Sequence, residues 1–192
     1  MYKGDFMGKI VLVTGGARSG KSTFAENEVR KLEKKTAYIA TAIAFDDAMK
    51  NRIKKHIEQR PDYWMTYEKP TQVHEIIREI SNDNHVVLLD CITVLITNTM
   101  FQDKLDFDRL TEEEIDVVEN KITADLKLLV EEILKTDLVV YMVTNEVGCG
   151  IVPENRLARI FRDFAGRANQ YLASMAEEVF MTVSGIPVKI KG

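Results

Sequence analysis

The feature that most constrains this chain is the glycine-rich stretch VTGGARSGKST, which runs from Val13 to Thr23. Within it, Gly15 is followed by four residues and then by Gly20, Lys21 and Ser22, which matches the phosphate-loop (P-loop) pattern G-x-x-x-x-G-K-[ST] in full. A strand-like apolar run precedes the loop and a helix-like run follows it, so that a helix N-terminus can meet the phosphates. The pattern predicts that the chain binds a nucleoside triphosphate.

Each residue type in this loop has a physical role. Glycines at 15, 16 and 20 let the backbone turn with positive φ and bring its N–H groups against phosphate oxygens. Lys21 supplies a positive charge for the β- and γ-phosphates and is expected to be catalytic, while Ser22 supplies a hydroxyl for Mg²⁺. The predicted nucleotide-binding residues of the loop are Gly15, Gly16, Ala17, Arg18, Ser19, Gly20, Lys21 and Ser22.

Asp90 is the natural second anchor for Mg²⁺, because it ends the apolar run Val86–Leu89 where a P-loop protein places such a carboxylate. The alternative is an ordinary acid at the end of a strand. Since the P-loop itself requires a partner for the metal, we favour the functional interpretation. Cys91, next to it, is better explained as a small core residue than as a nucleophile.

Short β-rich runs alternate with helical patterns along the chain, which predicts an α/β fold: a mostly parallel sheet flanked by helices in a single domain over 1–192. The predicted strands are Lys9–Gly15, Thr36–Thr41, Tyr63–Glu68, His85–Asp90 and Asp137–Glu146, followed by a C-terminal β-hairpin around Ser184-Gly185 at the sheet edge. The predicted helices are Ser22–Lys35, a helix capped by Asp46 that reaches Arg60, Thr71–Ser81, Thr111–Lys135 and a helix from Pro153 to Met175.

Composition narrows the class of protein. The 192 residues carry a net charge of −4, so no basic field favours binding to nucleic acid. Two cysteines cannot build a disulfide framework. No apolar run approaches the roughly 20 residues of a membrane span, and the N-terminal residues lack the apolar core of a secretory signal. We therefore expect a cytoplasmic protein.

His56 lies in a basic stretch, NRIKKHIEQRP, that has helical periodicity. On a helix it falls at the edge of the apolar face formed by Ile53 and Ile57, with Lys54 further round. Nearby cations disfavour the imidazolium, which leaves a neutral nitrogen able to attack phosphorus. The alternative is a half-buried histidine on a solvated helix, and this stretch alone favours the alternative.

Several further segments carry a resemblance to a known family. They are YIATA, LLDCIT, VTNEVGCGIVPENRLARIFRDFAGRANQ and the closing VSGIPVKIK, together with VTGGARSGKS and the histidine stretch. In this order, and over nearly the whole length, the chain resembles the bifunctional adenosylcobinamide kinase/adenosylcobinamide-phosphate guanylyltransferase family. The P-loop is generic, whereas the TNEVG…GIVPENR segment and the closing hairpin are specific.

The resemblance implies a RecA-like P-loop NTPase fold and two reactions. In the first, ATP or GTP phosphorylates adenosylcobinamide. In the second, GMP passes from GTP to adenosylcobinamide phosphate through a covalent histidine-GMP, with pyrophosphate released. By resemblance His56 is that histidine and is catalytic, Mg²⁺ accompanies the nucleotide, and the protein is a homotrimer. Some relatives carry two adjacent histidines in this stretch, and this chain has Lys55 in place of the first of them. Some relatives have Glu at the position of Asp90.

The resemblance also extends the nucleotide site beyond the P-loop. The residues it implies are Thr41, Ala42, Ile57, Glu58, Gln59, Arg60, Glu68 and Asp90. A carboxylate at position 68 can accept hydrogen bonds from the guanine base, and the alternative is a solvated acid at the end of a strand. Arginines at 156, 159 and 162 lie along one flank of a helix, where contact with substrate phosphate or a second subunit and plain solvation are equally supported. Cys149 is expected to be incidental, because its loop needs the flanking glycines.

Two other functions fit the P-loop. One is a kinase for another small hydroxylated substrate, which needs no reactive histidine. The other is a RecA-like ATPase or nucleotide-sensing module that acts on a macromolecule, and the acidic charge counts against it. Retention of GMP on the protein distinguishes the bifunctional enzyme from both.

Overall fold

The computed structural model describes residues 8–44, 47, 50 and 60–192. Its described part contains seven strands: Lys9–Gly15 (β1), Thr36–Ala40 (β2), Met65–Glu68 (β3), Val86–Asp90 (β4), Val139–Val143 (β5), Glu178–Val183 (β6) and Ile186–Lys191 (β7). The helices described are Lys21–Lys31 (α1), His74–Asp83 (α2), Ile92–Phe101 (α3), Glu112–Leu134 (α4) and Arg156–Met175 (α5). Most of the predicted helix between Asp46 and Arg60, His56 included, lies outside the described residues.

The seven strands form one sheet in the order β3-β2-β4-β5-β1-β6-β7. All neighbours are parallel except β6 and β7, which pair antiparallel at one edge. This confirms the predicted α/β fold of P-loop NTPase type, with its C-terminal hairpin. The carboxyl ends of the parallel strands all lie along one side of the sheet, which is a different edge from that of the hairpin strand β7. The P-loop after β1 and Asp90 at the end of β4 therefore lie together at this carboxyl-end edge.

Alternation along the strands divides the core between the two faces of the sheet. On β1, Ile10 and Leu12 pack into the cluster covered by α2, α3, α4 and α5. Val11 and Val13 pack on the other face with Ala25 of α1. Side chains of a strand point to opposite faces with a period of two, and a sheet covered on both faces therefore has apolar residues throughout.

Helix boundaries differ from the predicted ones where local geometry ends or begins the helix. α1 ends at Lys31 rather than Lys35, because Glu33 takes the left-handed conformation with φ 50°. α5 begins at Arg156, three residues after Pro153, because Asn155 Oδ1 accepts the Ala158 N–H at 2.8 Å and caps the helix.

Two further predictions concern the ends of elements. α4 begins where the predicted helix Thr111–Lys135 begins, with Thr111 as its N-cap in a capping box with Glu114. The hairpin turn is confirmed, with φ 51° at Ser184 and 84° at Gly185, as a tight two-residue connection requires.

α3 was not predicted. Its sequence, ITVLITNTMF, is rich in β-branched residues and has no polar stripe, and seven of its ten residues are buried. A helix buried on most sides lacks the amphipathic period that marks surface helices, so the pattern gave no helical signal. Among the helices that the structure describes, none combines the length and the apolar character of a membrane span.

Candidate active site

The P-loop closes tightly between β1 and α1. A Cβ on Gly15 would lie 2.5 Å from both Ser19 Oγ and Thr182 Oγ1, so only glycine fits there. Gly20 has φ 91° and precedes the first turn of α1. Of the three glycines expected to turn with positive φ, Gly16 does not, and Arg18 at the tip does so instead, with φ 61°.

Lys21 is buried at the start of α1, where its Nζ donates a hydrogen bond to the Gly16 carbonyl at 3.1 Å. The ammonium group is therefore directed back over the loop rather than out into solvent. Ser22 follows it in the first turn, half-buried, and Ala17 is exposed at the tip. A cation above a ring of backbone N–H groups at a helix N-terminus suits a polyphosphate.

The C-terminal hairpin braces this loop from the side. Ser19 Oγ lies 2.7 Å from Thr182 Oγ1, and the Thr182 hydroxyl contacts the Thr14 carbonyl at 3.3 Å. Because a carbonyl can only accept, Thr182 donates to Thr14 and Ser19 donates to Thr182. The turn residue Gly185 also donates its N–H to the Ser19 carbonyl at 2.9 Å. The hairpin thus fixes the P-loop through both a side chain and the backbone.

Asp90 is held in place by Tyr38 of the neighbouring strand β2. The phenolic hydroxyl donates to Asp90 Oδ2 at 3.1 Å, and the guanidinium of Arg60 lies over the Tyr38 ring, 3.4 Å from its centroid. Burial and then the negative charge of Asp90 raise the pKa of Tyr38 well above its usual value. The phenol therefore stays a hydrogen-bond donor at any working pH.

Glu26 is a buried acid on this side of the sheet, close enough to the half-buried Asp90 to feel its charge. Burial is the main cause that raises its pKa, and the charge of Asp90 adds to it. The guanidinium groups of Arg30 and Arg60 act in the opposite direction. One further carboxylate and two guanidinium groups therefore act on Glu26.

Cys91 is a buried thiol, as its interpretation as a core residue requires. Burial, followed by the charge of Asp90, raises its pKa to about 11, so the nucleophilic thiolate is scarce. Thr41 holds its backbone on both sides: the Thr41 hydroxyl donates to the Cys91 carbonyl at 2.9 Å and accepts the Cys91 N–H at 2.8 Å. That hydroxyl is thus engaged within the protein, and a nucleotide contact of Thr41 stays a prediction.

The other predicted nucleotide residues fall into two groups. Glu68 ends β3 directly beside Ala40 of β2, so it reaches the same sheet edge as Thr41 and Ala42. Arg60 also lies in that region, because its guanidinium covers the Tyr38 ring. The Nε of Arg60 is buried and has no hydrogen-bond partner among the described residues. The remaining four lie outside the described residues: His56, Ile57, Glu58 and Gln59.

A buried polar network that no sequence pattern had indicated fixes the segment after β5. Thr144 Oγ1 donates to Asn169 Oδ1 at 2.7 Å, and Asn169 Nδ2 donates to the Asn145 carbonyl at 3.0 Å. Thr93 Oγ1 accepts the Asn145 N–H at 2.6 Å. The signal available in the sequence was the triplet TNE directly after an apolar strand.

The donor set at the sheet edge suits magnesium. The hydroxyl of Ser22 and the carboxylate of Asp90 are hard oxygen ligands, which Mg²⁺ prefers. Among the described residues there is no group of three or more His, Cys, Asp or Glu that could hold a metal by itself. Mg²⁺ bound through one or two protein oxygens together with substrate phosphates fits such a site, whereas an all-protein metal cage does not.

A P-loop, a carboxylate two strands away and a hairpin that braces the loop lie together at one sheet edge. A family model described as cobinamide kinase / cobinamide phosphate guanyltransferase (CobU) matches residues 11–190. The chain belongs to this family. Members are bifunctional, so this chain is an enzyme of cobalamin biosynthesis with kinase and guanylyltransferase functions.

Curated CobU-family proteins resemble the chain over nearly its whole length. The bifunctional adenosylcobalamin biosynthesis protein CobU of Escherichia coli (strain K12) is 47% identical over 182 residues, which cover 95% of this chain and 99% of that protein. The protein of the same name from Salmonella typhimurium is 44% identical over 183 residues, with coverages of 95% and 99%. The bifunctional adenosylcobalamin biosynthesis protein CobP of Pseudomonas aeruginosa is 35% identical over 181 residues, with coverages of 94% and 96%.

In this CobU-family chain, two of the three arginines singled out from the sequence, Arg156 and Arg159, bind the chain itself. Arg156 donates to the carbonyls of Phe107 and Leu110, each at 2.8 Å. Arg159 donates to the carbonyls of Pro153 and Glu154, just before its own helix. These contacts give both arginines a structural role, which neither of the interpretations offered from sequence had included.

Proposed function

We propose that this chain first phosphorylates adenosylcobinamide on a hydroxyl with ATP or GTP. It then transfers GMP from GTP to adenosylcobinamide phosphate through a histidine-GMP on His56, giving adenosylcobinamide-GDP and pyrophosphate. The observation that carries this proposal is the P-loop and Asp90 at one sheet edge in a chain of the CobU family. A generic P-loop would support only triphosphate binding.

In the kinase step, the hydroxyl oxygen of adenosylcobinamide attacks the γ-phosphorus. The bond from that phosphorus to the bridging oxygen breaks, the nucleoside diphosphate leaves with the electron pair, and the hydroxyl proton is released. Lys21 and the backbone N–H groups from Gly15 to Ser22 stabilise the charge that moves onto the β-phosphate oxygens. Gly15, Gly16, Ala17, Arg18, Ser19 and Gly20 complete the cradle.

Mg²⁺ would be held by Ser22 and Asp90 and would neutralise charge on the phosphate oxygens. The chain's own part is to orient Asp90. The hydrogen bond from Tyr38 does this, because it fixes one oxygen of the carboxylate.

In the guanylyltransferase step, a neutral ring nitrogen of His56 attacks the α-phosphorus of GTP. The bond to the β-phosphate oxygen breaks, pyrophosphate leaves with the electron pair, and a P–N bond forms. A phosphate oxygen of adenosylcobinamide phosphate then attacks the same phosphorus, the P–N bond breaks, and the imidazole is restored. The guanine nucleotide would be contacted by seven further residues: Thr41, Ala42, Ile57, Glu58, Gln59, Arg60 and Glu68.

A product assay tests this proposal and separates it from its alternative, a P-loop kinase for another small hydroxylated substrate. The purified protein is incubated with Mg²⁺, GTP and adenosylcobinamide, and the corrinoid products are followed by mass spectrometry. We expect a monophosphate first and then a product heavier by GMP, with one pyrophosphate per second product. A protein that leaves adenosylcobinamide unchanged, while it phosphorylates another alcohol, would establish the alternative.

We further propose that the chain acts in the cytoplasm as a homotrimer. The cytoplasmic location is proposed from membership of a family of biosynthetic enzymes. Light scattering coupled to size-exclusion chromatography measures the oligomeric state. A mass about three times the 21.9 kDa of the chain is expected, and a monomer mass would contradict it.

A further inference from the structure

The segment that follows β5 occupies the position between the P-loop and Asp90. β5 lies between β1 and β4 in the sheet, and Val143 pairs with both Val13 and Asp90. The chain after Val143 therefore emerges between the loop that would hold the phosphates and the carboxylate that would anchor the metal. The first residues of that segment are Thr144, Asn145 and Glu146.

The pairing with β1 continues beyond the end of β5 and joins this segment to the P-loop. Thr144 donates its N–H to the Val13 carbonyl at 3.0 Å, and Glu146 donates its N–H to the Gly15 carbonyl at 3.0 Å. Asn145 therefore lies beside the first residues of the P-loop, and the hydrogen bonds made by its two neighbours fix it there.

Alternation along this continued strand assigns Asn145 to the face that carries α1. Val143 packs with Val13 and Ala25 of α1, whereas the Thr144 side chain contacts Asn169 on the opposite face. Two residues after Val143, the side chain of Asn145 returns to the α1 face, at the edge where α1 begins. That is the face on which Lys21 and Ser22 open the helix.

The backbone of Asn145 is fixed at both of its polar groups by buried side chains. Its N–H donates to Thr93 Oγ1, and its carbonyl accepts from Asn169 Nδ2. Thr93 and Asn169 are 6% and 9% exposed. Buried polar side chains are costly unless they are satisfied, and here they are satisfied by holding one residue of a loop. Among the described residues, the side-chain amide of Asn145 itself has no hydrogen-bond partner in this network.

We propose that the Asn145 side-chain amide donates a hydrogen bond to the terminal phosphate of the bound nucleoside triphosphate, and so distinguishes a triphosphate from a diphosphate. This inference rests on the proposed function of the P-loop. An amide N–H₂ is a neutral donor that suits a phosphate oxygen already faced by Lys21 and Mg²⁺. Glu146 does not compete for this role, because its carboxylate accepts the Gly148 N–H at 2.6 Å.

Calorimetric titration of the full-length protein tests the inference with two probes in the presence of Mg²⁺: GDP and the non-hydrolysable β,γ-imido analogue of GTP. For Asn145→Ala we expect the affinity for the analogue to fall roughly 10- to 100-fold, the range for a hydrogen bond to a charged group. The affinity for GDP should change by less than about 3-fold. Asn145→Asp, which keeps the shape and repels phosphate, should lose at least as much for the analogue.

The matched control is Asn155→Ala in the same connection between β5 and α5. It removes a helix cap and should lower the unfolding temperature, yet leave the ratio of the two affinities unchanged. Equal losses for both probes in Asn145→Ala, or no loss, would overturn the inference while the proposed function stands. A wild-type protein that binds neither probe would overturn both. If Asn145→Ala fails to fold, Asn145→Asp is judged by the same ratio.

Discussion

The hydroxyl of Tyr38 donates to Oδ2 of Asp90 at 3.1 Å, although 52 residues separate them along the chain. Parallel pairing of β2 with β4 brings them together, since Ala40 lies beside Asp90 and Tyr38 two residues earlier on the same face. A guanidinium, that of Arg60, covers the ring. The orientation of the proposed metal-binding carboxylate therefore depends on an adjacent strand and on the end of the stretch that contains His56.

Tyr38→Phe removes this hydrogen bond and keeps the ring beneath Arg60. We expect the Mg²⁺ concentration for half-maximal activity to rise several-fold, because the carboxylate loses the donor that orients it. Stability should fall by only about 1 kcal/mol. The measurement is a Mg²⁺ titration of pyrophosphate release. Tyr141→Phe is the control, because Tyr141 packs in the same cluster but the charges that act on its phenol are those of Glu28 and Glu178 and not that of Asp90. An identical Mg²⁺ dependence in the two variants would contradict the role given to Tyr38.

Gly15→Ala and Gly16→Ala make a matched pair in the P-loop. The first places a Cβ 2.5 Å from Ser19 Oγ and 2.6 Å from the Thr182 carbonyl, whereas the second meets nothing within 4 Å. We expect Gly15→Ala to destabilise the protein by about 1–3 kcal/mol and to abolish nucleotide binding. Gly16→Ala should unfold at nearly the wild-type urea concentration. Equal urea midpoints for the two variants would show that the hairpin does not pack closely against Gly15.

Thr93→Val tests the buried network after β5. It keeps the shape but leaves the N–H of Asn145 without its acceptor, which should cost about 1–3 kcal/mol in the free energy of unfolding. The control is Thr99→Val on the same helix, equally buried, whose hydroxyl donates only to the Leu95 carbonyl within α3. That change should cost less than about 1 kcal/mol. Urea unfolding measures both, and a larger loss for Thr99→Val would reject the network as a stabilising element.

Glu178 gives the hairpin a pH-dependent contribution to stability. Hydrogen bonds from Lys9 and then Lys189 lower its pKa, so the charged form is favoured in the folded state. A lowered pKa means that this stability is present above the unfolded pKa of about 4.3 and is lost as the pH falls through the folded value. Glu178→Gln should therefore lower the urea midpoint at pH 7 and have little effect near pH 3. Exposed Glu131→Gln serves as control, and a difference that grows on acidification would contradict the sign.

The parts of the fold that the sequence predicted are those with local signals. The P-loop, the start of the helix at Thr111 and the turn at Ser184-Gly185 each depend on a few neighbouring residues whose chemistry demands one conformation. The parallel sheet followed from alternating strands and helices. Helix α3 escaped because burial on most sides removes the polar face by which a helix is recognised.

The site was predictable only in part, for a related reason. Asp90 could be chosen because a P-loop requires a metal-binding partner at the end of a strand. Tyr38 and Asn145 could not, since their roles depend on strand order, with β2 beside β4 and β5 between β4 and β1. Strand order is a long-range property, and a single sequence carries no local signal for it.

The most direct test of the central claim is retention of label on the protein. The protein is incubated with Mg²⁺ and GTP labelled at either the α- or the γ-phosphate, denatured and washed, for wild type, His56→Ala and His74→Ala. His74 is a control because its Nδ1 lies 3.0 Å from Asp125 Oδ1, a pairing between α2 and α4 that is away from the P-loop. We predict an α-label that is lost in acid, survives alkali, persists in His74→Ala and is absent from His56→Ala. Undiminished α-label in His56→Ala, or no α-label in wild type while γ-phosphate still reaches an acceptor, would contradict it.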